Sequence, residues 1–213
     1  MQSRSETCKV YPNVEIGLGA EIGDYVIIGK PPRGKKPGEL KTVIGRNAVI
    51  RSHTVIYAGN VIGDSFQTGH GTMIRECNQI GHHVSIGSHT VVEHHVEVED
   101  AVRIHSQAFI PEYSTLEQGC WIGPNVVLTN ARYPLSPQAK QNLKGPTVRR
   151  RAKIGANSTL LPGVVVGEDA LVGAGTVVVN DIPDGKVVVG NPARAIRDLA
   201  EIEAYSVCEE ETL

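Results

Sequence analysis

Counting in sixes from Ile44 lands on Ile50, Ile56, Ile62, Thr68, Ile74, Ile80, Ile86, Val92, Val98, Ile104, Ile110, Leu116, Ile122 and Leu128. Fourteen of these fifteen positions are aliphatic. A chain that is about one quarter Ile, Val and Leu would place about four there by chance. The same step fits Val10, Ile16, Ile22 and Ile28 before the run, and Val148, Ile154, Leu160, Val166, Val172 and Val178 after it. Four residues past each aliphatic the chain is usually small or β-branched, as at Val14, Ala20, Ala48, Thr54, Val84, Val96, Ala108 and Thr176. Residues two apart in an extended chain share a face, so this second position and the next aliphatic both point inward. Glycine and asparagine between them suit turns. Short strands that turn every six residues wind into a β-solenoid with rungs ~4.8 Å apart.

Composition agrees with a narrow interior made of thin layers. Aromatics are only 4% of the 213 residues, while the 23 glycines exceed the usual ~7%. The formal net charge is −2, which gives no electrostatic case for a nucleic-acid partner. No apolar run approaches the ~20 residues of a membrane span. The polar start, Met1 to Glu6, does not look like a secretory leader. Cys8, Cys77, Cys120 and Cys208 are scattered with no CxxC pair, which predicts reduced thiols in a cytoplasmic protein and no structural zinc knuckle.

Two segments break the step. Residues 30–43 contain the basic run Lys30-Pro31-Pro32-Arg33-Gly34-Lys35-Lys36-Pro37-Gly38, and residues 129–147 contain Tyr133-Pro134 and Ser136-Pro137. Both predict loops that leave the solenoid, and a long loop in a regular array is commonly functional. The solenoid spans 1–190. Asn191-Pro192 then reads as an N-cap followed by proline at the first helical position, and Ile196, Leu199 and Ile202 follow at helical spacing. The expectation is a short α-helix over about 192–207 that caps the last rung, within a C-terminal helix and tail at 191–213.

Tandem [LIV]-G-x4 hexads over about 160 residues resemble the left-handed parallel β-helix, in which three hexads make one eighteen-residue triangular coil. The hand comes from that resemblance, since crossover connections in general favour the right. Ile154-Gly155-Ala156-Asn157-Ser158, Leu161-Pro162-Gly163-Val164, Val172-Gly173-Ala174-Gly175-Thr176 and Val189-Gly190-Asn191-Pro192-Ala193-Arg194 look like the end of the hexapeptide-repeat acyltransferases. The resemblance implies acetyl-CoA or another acyl-CoA as co-substrate and a homotrimer with active sites between neighbouring prisms. Gly155, Ala156, Gly173 and Ala174 fit a pantetheine arm lying along bare coil edges. Lys153, Arg194 and Arg197, with Arg149-Arg150-Arg151 nearby, are candidates for the CoA phosphates.

In an eighteen-residue coil, His94, Glu112 and Asn130 stack in one column, each two residues after its inward aliphatic, with Glu76 below. Four polar residues in a line that ends at the second loop could border a cleft. His105 belongs to another column, too far from Glu112 within one subunit, so only a neighbour could bring the two together. The run Thr129-Asn130-Ala131-Arg132-Tyr133-Pro134 looks like the branch that N-acetylates nucleotide-linked amino sugars, although Ala131 stands where an acidic residue is more usual. The branch implies roles near the sugar amine for His105, Glu112, Asn130 and His94. Arg132 and Tyr133 in that run, His70 beside the exception at Thr68, and Glu76 below the column are candidates to line the acceptor site. The reaction would be direct attack of a neutral amine on the thioester, with His105 taking a proton and Glu112 fixing its tautomer.

Three other readings stay open. An O-acetyltransferase acting on a sugar or serine hydroxyl would need a stronger base. The spacing of His53, His89 and His94 resembles the zinc-binding histidines of γ-class carbonic anhydrases, which share this fold, but their accompanying residues are not found; no metal is expected. A scaffold subunit with a degenerate site is the third.

Overall fold

The computed structural model describes residues 3–206 and is an all-β parallel solenoid. The strands, most of them two residues long, stack into three sheets, here called faces A, B and C, of eleven, nine and eight strands. Successive strands visit the three faces in turn, so each pairs in parallel with the strand eighteen residues on, as Met73 does with Val91 and Val91 with Phe109. This is the parallel β-helix that the hexads predict, consistent with the left hand that the resemblance implies, wound about a core of stacked Ile, Val and Leu.

Both inward columns are buried as the period requires. Ile44, Ile50, Ile56, Ile74, Ile86, Ile104 and Ile122 are all buried, and Ala20, Ala48, Val84, Val96, Val102 and Ala108 fill the corners between them. Thr68, the exception in the aliphatic series, is also buried and hydrogen-bonds Thr54 Oγ1 at 3.1 Å. At two corner positions asparagine replaces an aliphatic. The Asn78 N–H donates to Asn60 Oδ1 at 2.9 Å, the Val96 N–H donates to Asn78 Oδ1 at 2.7 Å, and both amide groups donate to Arg75 O. This buried ladder is fully satisfied and pins the corner between faces B and C.

Corners require a left-handed residue. Asn47, Asn125 and Asn157 meet this need, but so do His53, His83, His89 and His95, with φ between 55° and 62°. Histidine is enriched among non-glycine residues that tolerate this conformation. Half of the eight histidines are thus accounted for by backbone geometry.

The chain leaves the solenoid twice and returns in register. Ile28 pairs with Ile56, 28 residues on, and Leu128 with Leu160, 32 residues on. Lys30 and Thr42 remain ladder residues, so the first excursion is 31–41; Thr147 pairs with Thr115, so the second is 129–146.

The C-terminus departs from expectation. Residues 194–198 are not helical. The Asn191–Pro192 peptide is cis, and strand Arg194–Asp198 runs antiparallel to the last coil strand, Lys186–Val189. The last rung of face A would otherwise present unpaired N–H and C=O groups, and pairing that edge outweighs local helical spacing. Ile196 consequently lies half exposed instead of on a buried helix face. A 3-10 turn at Leu199–Glu201 and one α-helical turn at Glu203–Ser206 follow. The rest of the expected helix and tail, with Cys208, lies outside the described residues. Among the described residues no helix is long and apolar enough to cross a membrane.

Candidate active site

Two polar columns flank face B. The first stands at the corner shared with face C. His94 Nε2 lies 3.5 Å from Glu112 Oε1, and the Asn130 side-chain amide donates to Glu112 Oε2 at 2.5 Å. The predicted column is therefore a connected chain of side chains. Glu76, below it, is held by Arg75 at 2.9 and 3.0 Å, and Arg75 also reaches Glu93 at 3.0 Å. Burial works against the Glu76 carboxylate, but the Arg75 hydrogen bonds prevail and hold its pKa below the usual glutamate range. His94 Nδ1 faces His95 Nδ1 at 2.8 Å, so only one of these nitrogens carries a proton. Both rings pack near Tyr113. Asn130 also opens the second loop, and its carbonyl accepts the Lys144 N–H at 3.0 Å, closing the loop's base. Arg132 and Tyr133 project from that loop, Tyr133 at 71% exposure, and neither folds back onto the column.

His105 stands on the opposite edge of face B, next to face A. Its ring centroid is 4.6 Å from that of Trp121, with the planes tilted by 56°. Nε2 is buried and has no hydrogen-bond partner. Burial, and secondarily the Arg103 charge, push the His105 pKa below the ordinary histidine value, so the ring is neutral at pH 7.

Between these edges, face B presents an apolar ladder outward: Ile27, Val55, Met73, Val91, Phe109 and Val127 follow one another in register. Val127 is 39% exposed. Such a ladder marks an interaction surface more than a solvated face.

Above Trp121 on face A lies a cavity of about 530 Å³, lined by Trp121, Leu171, Tyr205, Gly155, Lys153 and Arg151 among others. Its apolar walls with cations at the rim suit a thin thioester arm that carries phosphates. Lys153 Nζ sits 4.9 Å from the Tyr205 ring centroid and donates to Arg151 O. Trp121 and Leu171 lie on outward positions that the period leaves free, and Tyr205 lies in the C-terminal helical turn beyond the repeat, so the hexads do not point to them. The glycines predicted for the co-substrate have a structural duty as well. A Cβ at Gly155 would lie 2.5 Å from Ala174 N, and one at Gly173 would lie 2.7 Å from Val189 Cγ1. The Ala156 carbonyl accepts the Gly175 N–H, another coil-stacking bond. Arg194 and Arg197 extend face A on the antiparallel strand, whereas Arg151 is tied to Glu168 and Asp169 at 2.7 and 2.6 Å and Arg149 lies 3.7 Å from Asp184.

His70 sits lower on face A, with Nδ1 2.7 Å from Ser52 Oγ. His53 and His89 share the corner between faces A and B, and His94 belongs to the corner between B and C. Among the described residues no three metal-ligating side chains converge within the chain. The thiol of Cys120 is buried, which pushes its pKa far upward, and Cys8, Cys77 and Cys120 are free.

A parallel β-helix with hexad periodicity and polar columns on two corners defines a class, the hexapeptide-repeat solenoids. Residues 145–180 match the family described as bacterial transferase hexapeptide (six repeats). The dTDP-3-amino-3,6-dideoxy-alpha-D-galactopyranose 3-N-acetyltransferase of Aneurinibacillus thermoaerophilus is 55% identical over 47 residues, 22% of this chain and 24% of that protein. The galactoside O-acetyltransferase of Lactococcus lactis is 36% identical over 81 residues, 36% of this chain and 39% of that protein. The chain thus matches less than half the length of these curated relatives. The fold is shared with the UDP-N-acetylglucosamine acyltransferase of Campylobacter jejuni, at a TM-score of 0.52 and 17% identity, covering 93% of this chain and 76% of that one. LpxA of Acinetobacter baumannii gives 0.51 and 17%, covering 93% and 75%.

Proposed function

We propose that the chain is an acetyl-CoA-dependent N-acetyltransferase acting on the amine of a nucleotide-linked amino sugar, at a site shared by neighbouring subunits of a homotrimer. One observation carries this reading. His105 and the Glu112–Asn130 pair lie on the two edges of a single apolar face. If three copies bury face B around a common axis, the face A edge of each subunit meets the face C edge of the next. A closed ring of heterologous contacts does this without leaving apolar surface exposed. His105 of one subunit then approaches Glu112 and Asn130 of its neighbour, and the cavity above Trp121 opens beside them.

The chemistry follows from these groups. The neutral amine attacks the thioester carbonyl, the C–S bond breaks, and sulfur leaves with the electron pair. The proton lost by the amine passes to the accessible side of the His105 imidazole and on to sulfur, giving an amide and free CoA. A neutral His105 is required for the first transfer, and its depressed pKa supplies one. Glu112, held by Asn130, accepts the far N–H of the imidazole or orients the amine. The similarity to an amino-sugar N-acetyltransferase supports an amine acceptor. The longer match to a galactoside O-acetyltransferase supports the second reading, a hydroxyl acceptor.

The test is a mass-spectrometric screen of dTDP- and UDP-linked amino sugars, with galactosides and serine as hydroxyl arms, against acetyl-CoA. Acetylation confined to amino sugars supports the proposal. Acetylation of a hydroxyl acceptor alone overturns it in favour of the second reading.

A further inference from the structure

We infer that a groove on face A below His105 binds the diphosphate of the acceptor. The inference deepens the function proposed above and takes its ligand from that reading. The groove encloses about 390 Å³. In the column that follows each face A strand, Arg51 and His105 bracket Gly69 and Gly87. Neither glycine tolerates a side chain: a Cβ at Gly69 would lie 2.2 Å from Ser88 N, and one at Gly87 would lie 2.3 Å from Ser106 N. Close stacking of the coils therefore keeps the floor bare over two rungs. The next bare position, Gly123, is covered by Trp121, whose Cζ3 lies 3.0 Å from where a Cβ would stand. Trp121 thus ends the groove and separates it from the larger cavity above.

The walls are made of donors. On one side Gln67, Ser85 and Arg103 stand in register on adjacent strands. On the other are the hydroxyls of Ser88 and Ser106 and the side chain of His70, whose backbone N–H donates to Ser88 Oγ at 3.0 Å. Arg51 donates one guanidinium N–H to Thr68 O at 2.7 Å, which fixes its direction and leaves its other donors for a ligand. Arg46, Arg75, Arg149 and Arg151 each pair with a carboxylate, whereas among the described residues Arg51 and Arg103 form no ion pair. Two unneutralised guanidinium groups lie at the ends of a groove about 14 Å long, three rung spacings. That is the donor pattern for a doubly charged diphosphate. Asp24, one coil below Ser52 and engaged by the Ser5 hydroxyl, closes the anion-favouring stretch. A diphosphate seated here puts the attached sugar at the His105 end.

CoA also carries a diphosphate, so the experiment must separate the two sources. Calorimetric titrations of dTDP, UDP and CoA into the whole protein are compared with titrations into Arg51→Gln, Arg103→Gln and the double variant. Both side chains are exposed, and melting curves check that the variants stay folded. The expected result is a Kd for one of the nucleoside diphosphates raised about tenfold per substitution, with CoA affinity unchanged. Three results overturn the inference: wild type that binds neither dTDP nor UDP at millimolar concentration, a double variant that binds them as well as wild type, or a double variant that loses CoA instead. The readout needs no acetyl transfer. Nucleotide binding without turnover would count against the proposed function alone, and turnover with an indifferent groove against this inference alone.

Discussion

Asn130 donates its side-chain amide to the Glu112 carboxylate eighteen residues and one coil away, while His94 approaches the other oxygen of the same carboxylate. Glu112 is thereby held on both sides at the edge of face B. His105, the base in the proposed reaction, is on the far edge of the same face.

Mixing two inactive variants tests that division. In the proposed homotrimer, His105→Asn and Glu112→Gln subunits co-refolded in equal amounts would assort at random into rings of which three quarters are mixed. Each mixed ring contains one interface with both native residues. Activity should return to about a quarter of wild type. Steady-state rates of the mixture that stay at the level of the parents would place the site within one subunit.

His105→Asn alone should lower kcat by about 10²-fold and leave KM for the acceptor within a few fold, because proton transfer matters in the transition state and little in binding. Near-normal turnover would remove His105 from the mechanism.

The pH profile follows from the depressed His105 pKa. A base is lost when it protonates, and a lowered pKa moves that loss to lower pH. The acid limb of kcat/KM should therefore fall below the ordinary histidine value of about 6.5. Arg103→Gln removes a positive neighbour and should move the limb upward. A limb that stays put in this variant would show that Arg103 does not tune the base.

Replacing Trp121 with alanine should uncover the His105 ring and join the two cavities of face A. The expected signature is a lower kcat with a raised acid limb, because water then reaches Nε2 and the desolvation that lowers its pKa is relieved. Unchanged kinetics would reduce Trp121 to packing.

The buried asparagine ladder makes a prediction about stability. Asn78→Val leaves the Val96 N–H without its acceptor and removes one of the two amide donors to Arg75 O. Urea denaturation should show a loss of about 1–3 kcal/mol, with Asn60→Val nearly as costly. A smaller change would mean that the corner repairs itself.

What could be foreseen depended on whether a residue obeyed the period. The Glu76, His94, Glu112 and Asn130 column follows from stepping by eighteen, and the structure brings three of these side chains together. Trp121 and His105 touch at a separation of sixteen, a diagonal across neighbouring rungs that column arithmetic does not generate. The face A groove was hidden for another reason. Gly69 and Gly87 read as turn residues, and only the stacked coils show that they empty a space between Arg51 and His105. The strand at Arg194–Asp198 was misjudged because local spacing carries no information about an unpaired edge far back in the sequence. Two of the histidines whose spacing suggested a zinc site, His53 and His89, serve left-handed corners.

The two excursions add ten and fourteen residues to coils that otherwise close in eighteen, yet Ile28 still meets Ile56 and Leu128 still meets Leu160. Length change is thus discarded sideways, and the vertical indexing of every later residue survives it. Such a scaffold can exchange what its loops recognise without misaligning the machinery beneath them, so acceptor preference and reaction chemistry can diversify on separate schedules.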